Sequence, residues 1–354
     1  MKYRLWGTGA LLALLAVPGS ALGASAQPVS SSKLAFPAAF TLTPTGDRIL
    51  YGERLTGRIG WLDPSTGAHT PLLTIPKVAT TGERGVLGLA LSPRYPSDGR
   101  VWAYVTRTVG GSVKNQLLRI RPDGSGFTVV RSLPAAYHHN GGHIAFGPDG
   151  RLYVVVGENG DPSNAQKLTL LAGKMLRLNA DGTVPPNNPS PASPVIAYGI
   201  RNSFGFTFDP STGRLWETEN GPSCNDEINL ISRSRLENFG WGPTQTCNTP
   251  PPAPMNTNRD GPSPVLPKLF FPVPPALTGA AFCNGCGLSA SGQLIFGAYN
   301  TGKIRSAKLN PARTGIVRQS AIYDDRNPVL SVETPLSGGP IYFSTTKNIF
   351  RLRP

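Results

Sequence analysis

The sequence predicts an all-β protein, folded as a six-bladed β-propeller in a single domain. The chain contains 41 glycines and 36 prolines, and only 15% of its residues are charged. This composition favours turns and short strands over long helices. In addition, a turn containing glycine leads into an apolar strand at six places along the chain. The apolar positions taken as equivalent in these six units are Leu50, Val101, Leu152, Leu215, Leu294 and Ile341.

A second apolar strand follows the first one in each unit, and several of these strands are closed by an Asp-Gly or Ser-Thr-Gly turn. The second strands are predicted at residues 59–62, 117–120, 175–178, 227–230, 304–307 and 349–352. A unit of about 50 residues that holds several short strands has the period of a propeller blade. A set of β-sandwich domains is the alternative, but the continuous and nearly regular repetition argues against it.

Two intervals between units are longer than the others and contain insertions. The first holds residues 160–174 and a proline- and asparagine-rich stretch at 185–189, and the second holds residues 242–275. Loops elaborated on one face of a repeat protein are where binding function usually lies. We therefore predict that these insertions are ordered loops over one face of the disc.

Residues 1–26 are predicted to be a signal peptide. A basic start at Met1–Arg4 is followed by an apolar core at Leu11–Val17 and an A-x-A cleavage site at Ala24–Ala26. The apolar stretch is too short for a comfortable membrane span, and no other span is predicted. The mature domain then covers residues 27–354 and is periplasmic or secreted.

The formal net charge of +14 raises the question of an anionic partner. Nucleic acid is not predicted, because the basic residues are scattered singly and do not alternate with aromatic residues in a cluster. Two interpretations stay open. The charge is either an ordinary basic surface of an exported protein, or part of it lines a basic cleft for an anionic cofactor or substrate.

Four cysteines in an exported chain predict disulfides. Three pairings are possible, and pairing Cys224 with Cys247 and Cys283 with Cys286 closes the two shortest loops. A zinc site made of all four thiolates is the competing interpretation. An oxidising compartment and the lack of a second C-x-x-C pair argue against it.

Three of the four histidines fall within six positions, at His138, His139 and His143. A Pro-Asp-Gly turn and a strand then return the chain to a carboxylate at Glu158. An imidazole and a carboxylate on neighbouring segments are the usual parts of a general base and the group that orients it. The alternative is a set of surface histidines that serve in caps and hydrogen-bonded turns.

Two further segments have the composition of site loops. Arg201 and Asn202 stand between a glycine and an aromatic strand, although an arginine at such a place can simply pair with a neighbouring carboxylate. Residues 217–229 surround the Gly221-Pro222 turn with Asn, Asp and Glu, which supply the oxygen ligands that calcium needs, backbone carbonyls included. Turns rich in carboxylates also occur without a metal.

The order of these motifs resembles that of the soluble glucose/sorbosone dehydrogenase family, also called the PQQ-dependent aldose sugar dehydrogenases. The resemblance covers roughly residues 80–350 and is densest between 137 and 242. The segments that carry it are 82–90, 138–142, 147–153, 164–166, 173–182, 198–202, 220–229, 238–242 and 297–304.

The resemblance implies roles for individual residues. His139 matches the catalytic base that takes the proton of the sugar's anomeric hydroxyl as hydride passes to PQQ. Glu158 stands where the family has an acid that orients this imidazole. Arg201 matches the arginine that lies against the quinone oxygens and stabilises the developing charge.

The same resemblance implies the remaining contacts to the cofactors PQQ and Ca²⁺. Asn202 matches a neighbouring cofactor contact, and the carbonyls of Gly221 and Pro222 match ligands of the calcium ion that polarises PQQ. PQQ carries three carboxylates, so a basic cleft together with Ca²⁺ offsets its charge.

Three candidate cofactor-binding positions differ from the glucose-oxidising branch of the family. Glu83 occupies the place of a Gln that contacts the cofactor, and Asn300 falls where that branch has a Lys that binds a PQQ carboxylate. Arg326 is the basic residue nearest to two arginines expected close to the C-terminus. Fewer cations should weaken the binding of a tricarboxylate, since each charge-assisted hydrogen bond contributes roughly 1.5–3 kcal/mol.

The leading functional prediction is an exported PQQ- and Ca²⁺-dependent aldose dehydrogenase, a monomer or homodimer, that oxidises the anomeric carbon of sugars. Electrons would leave to an external acceptor, because the chain has no C-x-x-C-H haem motif. Two alternatives remain open. One is a non-catalytic binding module, in the manner of Hedgehog-interacting propellers. The other is a calcium-dependent lactonase.

Overall fold

The protein is a ring of six antiparallel β-sheets, which confirms the predicted six-bladed β-propeller. The computed structural model describes residues 23–244, 247 and 258–354. Most of the predicted signal peptide and residues 245, 246 and 248–257 of the second insertion lie outside the described residues. Within the described ranges, the regular structure is almost entirely β, with a single helical turn α1 (Ser163–Gln166).

The strands follow one another at short intervals along the chain. In chain order they are β1 (Ser25–Pro28), β2 (Ala39–Leu42), β3 (Ile49–Gly52), β4 (Arg58–Leu62), β5 (His69–Thr74), β6 (Val86–Leu91), β7 (Val101–Val109), β8 (Ser112–Ile120), β9 (Phe127–Leu133), β10 (Ile144–Phe146), β11 (Leu152–Val156), β12 (Lys174–Leu178), β13 (Val195–Tyr198), β14 (Ser203–Phe208), β15 (Leu215–Glu219), β16 (Asp226–Ile231), β17 (Glu237–Asn238), β18 (Leu269–Phe271), β19 (Leu277–Phe282), β20 (Leu294–Ala298), β21 (Lys303–Leu309), β22 (Ile316–Asp324), β23 (Ser331–Glu333), β24 (Tyr342–Ser344) and β25 (Ile349–Arg353).

Each blade is an antiparallel sheet built largely from consecutive strands. Blades one, two and five consist of β2–β5, β6–β9 and β19–β22. Blade three consists of β10–β13 with β17 added, blade four of β14–β16 with β18, and blade six of β23–β25 with β1. The first strands of most neighbouring blades contact one another, so they line the centre of the ring.

The repeated apolar positions, which the sequence placed in the first strand of each unit, lie in the second strand of each blade, or directly before it in blade six. All six of them are at most 2% exposed. Both faces of a blade pack against neighbouring blades, and β11 is accordingly buried at every position. A strand covered on both faces has a continuous apolar sequence instead of an alternating one, which is why the pattern was visible.

Blade six is closed by the N-terminal strand, which the repeat pattern did not predict. Strand β1 pairs antiparallel with β25, and Gln27 lies opposite Arg351. The Gln27 side chain accepts hydrogen bonds from Arg353 at 2.7 Å and Arg351 at 3.2 Å. The predicted cleavage point after Ala26 falls inside β1, so cleavage there would leave Gln27 and Pro28 to pair with β25.

The prediction of disulfides is confirmed, and of the three possible pairings the structure has the one that closes the two shortest loops. Disulfides join Cys224 to Cys247 and Cys283 to Cys286, with Cα–Cα distances of 5.7 and 5.3 Å. These bonds exclude the four-thiolate zinc site, because no thiolate remains to bind a metal. Nor does any helix in the described ranges combine the length and the apolar character that crossing a bilayer requires.

The prediction that all insertions cover one face is wrong for residues 185–189. Strand β12 runs between the two parts of the first insertion, so residues 157–173 and 179–194 lie at its opposite ends. Near the second end, Arg177 donates hydrogen bonds to Asn187 at 2.9 Å and Asn188 at 2.8 Å. The sequence pattern revealed the insertions but not which ends of the strand they join.

Candidate active site

A cavity of about 510 Å³ opens on the face that carries the connections between second and third strands. Its volume lies in the usual range for small-molecule sites. The cavity brings together most of the residues predicted from sequence. Those that line it are Glu83, His139, Arg201, Asn202, Gly221 and Pro222.

His139 and Glu158 form the predicted imidazole–carboxylate pair. The Nδ1 atom of His139 lies 2.6 Å from Oε1 of Glu158. The Glu158 side chain is only 1% exposed, whereas that of His139 is 18% exposed and lines the cavity. Because the carboxylate accepts a hydrogen bond from the N–H at Nδ1, it favours the tautomer in which Nε2 is unprotonated and can act as the base.

The backbone that carries this pair is held tightly. His139 has a φ of +55°, a left-handed conformation that is uncommon for a residue with a side chain. Its carbonyl accepts hydrogen bonds from the backbone and side-chain nitrogens of Asn159, at 3.1 and 3.0 Å. A Cβ on Gly157 would lie 2.8 Å from Oδ1 of Asn202 and 2.6 Å from the His139 carbonyl carbon. The two loops can therefore meet only if position 157 is glycine.

His143, the third histidine of the motif, lines the same cavity. Its ring meets that of Phe206 edge to face, with 4.6 Å between the ring centroids. Burial lowers the pKa of His143 to about 4. The side chain is therefore neutral at physiological pH and adds no charge to the cavity.

Arg201 brings a positive charge to the cavity. Its Nη1 donates a hydrogen bond to the Asn220 carbonyl at 3.1 Å, and its guanidinium lies 5.4 Å from the centroid of the Trp241 ring. Burial lowers the pKa of Arg201, whereas the carboxylates of Glu158 and Glu219 act to raise it. An arginine stays protonated under such opposing shifts, so the cavity keeps this cation.

The main chain ties the Arg201 loop to the His139–Glu158 pair. The amide of Glu158 donates to the Arg201 carbonyl at 2.8 Å, and the amide of Arg201 donates to Oε1 of Glu219 at 2.5 Å. One chain of hydrogen bonds thus links the His139 imidazole, through Glu158, to the backbone that carries the Arg201 guanidinium.

Glu83 joins two of the predicted site loops. Its Oε2 accepts hydrogen bonds from the backbone amide of His139 at 2.7 Å and from the Asn202 side chain at 3.2 Å. Its Oε1 lies 3.6 Å from Nδ1 of the exposed His138. The carboxylate has ample donors, which explains how an anionic side chain is accommodated here.

The Gly221-Pro222 turn reaches the cavity from blade four. The Gly221 amide donates to Oδ1 of Asp226 at 2.9 Å, and the Leu277 amide donates to Oδ2 at 3.1 Å. A Cβ on Gly221 would overlap the carbonyl oxygen of Cys224, so the turn requires glycine. No three His, Cys, Asp or Glu side chains in the described chain are grouped as metal ligands.

Three buried glutamates, Glu217, Glu219 and Glu227, lie behind the Arg201 loop. Asn229 donates hydrogen bonds to Glu217 at 3.1 Å and Glu219 at 3.2 Å. Burial raises the pKa of Glu217 to about 7, and burial and the nearby Glu217 raise the pKa of Glu227 to about 8. At neutral pH the Glu227 carboxyl group is therefore mostly protonated, and that of Glu217 is close to its titration midpoint.

Substitution of Glu227 by glutamine should stabilise the protein at high pH. A folded-state pKa above the ordinary value of 4.5 means that stability falls as pH rises from that value through about 8. The Glu227→Gln side chain is neutral and avoids this loss. We expect the variant's free energy of unfolding at pH ~9 to exceed that of the wild type by about 2 kcal/mol. Thermal unfolding in EDTA at two pH values tests this. The variant should match the wild type at pH ~5, and lower stability of the variant at both pH values would contradict it.

Asn300 and Arg326 do not lie among the residues that line the cavity. Both are exposed. The Asn300 side chain donates to the Pro274 carbonyl at 3.2 Å, and Arg326 adopts a left-handed turn in which its amide donates to Asp324 at 3.2 Å. These local bonds fix both residues in surface turns, so their cofactor-binding roles stay predictions without support from the geometry.

Arg54, Phe36 and Tyr299 line the cavity but were missed in the sequence. Arg54 lies in the turn after β3, within a repeat that we used only to predict a strand. Its charge and its place in a turn on the cavity face were the signals that could have identified it.

The sequence profile of the glucose/sorbosone dehydrogenase family matches residues 34–352. The chain belongs to the glucose/sorbosone dehydrogenase family. A solved structure of this type is the PQQ-bound form of an aldose sugar dehydrogenase from Streptomyces coelicolor. It is 28% identical with a TM-score of 0.78, and the match covers 94% of this chain and 99% of that one.

Curated members of the glucose/sorbosone dehydrogenase family align over shorter stretches. The aldose sugar dehydrogenase YliI of Escherichia coli (strain K12) is 30% identical over 230 residues, which are 60% of this chain and 60% of that protein. Quinoprotein glucose dehydrogenase B of Acinetobacter calcoaceticus is 29% identical over 231 residues, which are 55% of this chain and 48% of that protein. The match thus spans less than two thirds of either relative's length.

Proposed function

We propose that the protein is an exported, PQQ- and calcium-dependent aldose dehydrogenase that oxidises the anomeric carbon of sugars. The observation that carries this proposal is the 2.6 Å contact between His139 and Glu158, in a cavity shared with Arg201 and the Gly221-Pro222 turn. The family membership supports the same chemistry. The predicted signal peptide and the two disulfides support a periplasmic or secreted location.

The donor set of the cavity fits the cofactor. Arg201 and Asn202 offer nitrogen donors to the oxygens of an anionic, planar quinone. The carbonyls of Gly221 and Pro222 are oxygen ligands of the kind that Ca²⁺ binds. When bound, PQQ would supply the two-electron acceptor that the protein's own side chains lack. We take the substrate to be a small aldose and the final electron acceptor to be an external molecule.

His139 acts as the general base in this proposal. Its Nε2 accepts the proton of the anomeric hydroxyl as the carbon is oxidised, and Nδ1 keeps its own proton through the bond to Glu158. The buried carboxylate then stabilises the imidazolium that forms, as the acid of a catalytic triad does. Arg201 keeps a positive charge in the cavity, where it would favour negative charge on a bound quinone.

The decisive test is a titration of the apoprotein with PQQ, with and without Ca²⁺, followed by absorbance. We expect saturable binding that Ca²⁺ strengthens, and reduction of an artificial dye when aldoses are added. Absence of PQQ binding would instead favour a non-catalytic binding module. Hydrolysis of a lactone without any quinone would favour the lactonase alternative.

A further inference from the structure

The charge of the cavity points to a residue that the family resemblance did not single out. A tricarboxylate needs cationic partners, yet Asn300 is neutral and Arg326 lies in a surface turn. Among the described residues that line the cavity, only Arg54 and Arg201 carry a positive side chain. Arg54 comes from blade one and Arg201 from the connection between blades three and four, so they belong to different parts of the wall.

Arg54 is held in place before any ligand arrives. Its Nη1 donates hydrogen bonds to the carbonyls of Gly82 at 2.7 Å and Arg84 at 3.0 Å. Its guanidinium carbon lies 4.4 Å from the centroid of the Phe36 ring. The Arg54 amide also donates to the Phe36 carbonyl at 3.0 Å. A side chain fixed at three points loses little conformational entropy when it binds a ligand.

These contacts leave part of the guanidinium without a partner. Nε of Arg54 is buried and has no hydrogen-bond partner in the described part of the chain. The Arg54 guanidinium has no hydrogen bond to the nearby Glu83 carboxylate among the described contacts, and Oε2 of Glu83 accepts from His139 and Asn202 instead. Burial lowers the pKa of Arg54, but Glu83 and Tyr299 oppose the shift, and an arginine remains charged.

We propose that Arg54 is a cofactor-binding residue that holds a carboxylate of the quinone together with Arg201. This inference rests on the proposed function. The wall around Arg54 suits a planar aromatic acid, since the rings of Phe36 and Tyr299 line the same cavity. Arg54 thereby supplies the positive charge that positions 300 and 326 do not bring to the site.

The test is the dissociation constant of PQQ for the Ca²⁺-loaded apoprotein, measured by calorimetry on the full chain. We expect Arg54→Met to weaken binding about 30-fold, and Arg54→Lys to recover part of the loss because it keeps the charge. The matched control is Arg48→Met, which removes a guanidinium that lies over Trp61 at 4.3 Å and does not line the cavity. It should leave the dissociation constant unchanged.

A second ligand separates charge recognition from a structural effect on the loop of Gly82 and Arg84. Phenanthrenequinone is a planar o-quinone without carboxylates, so its affinity should change less than about twofold in Arg54→Met. An unchanged PQQ affinity in Arg54→Met, or equal weakening of both quinones, would overturn the role of Arg54. If the wild-type protein binds no PQQ at all, the proposed function fails and this inference fails with it. That result differs from the two preceding ones, in which the wild type binds PQQ and only the role of Arg54 is rejected.

Discussion

Replacement of His139 by alanine is expected to lower aldose-dependent dye reduction by the PQQ- and Ca²⁺-loaded protein about 10³-fold. The imidazole is the cavity group whose tautomer is fixed by a buried carboxylate, through the 2.6 Å contact with Glu158. Without it, the cavity loses the imidazole whose Nε2 takes the proton of the anomeric hydroxyl in the proposed mechanism. Turnover at saturating aldose measures the effect, and absorbance confirms that PQQ is still bound.

The matched control for this experiment is His138→Ala. That histidine is adjacent in sequence, its side chain is 58% exposed, and it does not line the cavity. Its removal should change turnover less than about twofold, as expected for a surface substitution. Full activity of His139→Ala would show that another group takes the proton and would reject the proposed base.

Replacement of Arg201 by methionine should weaken PQQ binding about 100-fold, since each charge-assisted hydrogen bond contributes about 1.5–3 kcal/mol. The neutral side chain keeps much of the contact with Trp241 but removes the charge. We also expect added Ca²⁺ to restore only part of the PQQ affinity of Arg201→Met. The ion would bind at the Gly221-Pro222 turn, a different segment from Arg201, so it cannot replace the guanidinium. Calorimetric titration of the apoprotein gives both values.

Arg305→Met serves as the control for Arg201→Met. Arg305 is likewise partly buried beside an aromatic ring, 5.8 Å from the centroid of Phe271, but it does not line the cavity. If both variants lost affinity to the same degree, the effect would reflect general destabilisation and not a contact with the cofactor. Melting temperatures of the two apoproteins provide the corresponding check on folding.

The blades could be predicted from sequence because the information that defines them is local. A glycine turn followed by a fully buried strand is visible within ten or so residues, and the two shortest disulfide loops are equally local. The pairing of β1 with β25 and the addition of β17 to blade three join segments far apart in the chain. β17 has two residues and β1 has four, so neither has a periodicity to recognise.

The same distinction explains the site predictions. His139 and Glu158 are 19 positions apart, and the turn and strand between them showed that they would meet. The Arg54 side chain donates to carbonyls that lie 28 and 30 positions further along the chain, across the contact between two blades. Asn300 was predicted from its alignment alone, and its side chain in fact bonds to Pro274.

The pairing of β1 with β25 also constrains the order of assembly. The first strand of the described chain and the last one are partners in a single sheet, so the ring cannot be sealed until β25 has been synthesised. Blades one to five can form as they emerge, while β1 keeps an open hydrogen-bonding edge until β25 arrives. A chain that crosses a membrane unfolded and acquires its structure afterwards would have both ends available at the same moment, which avoids prolonged exposure of that edge.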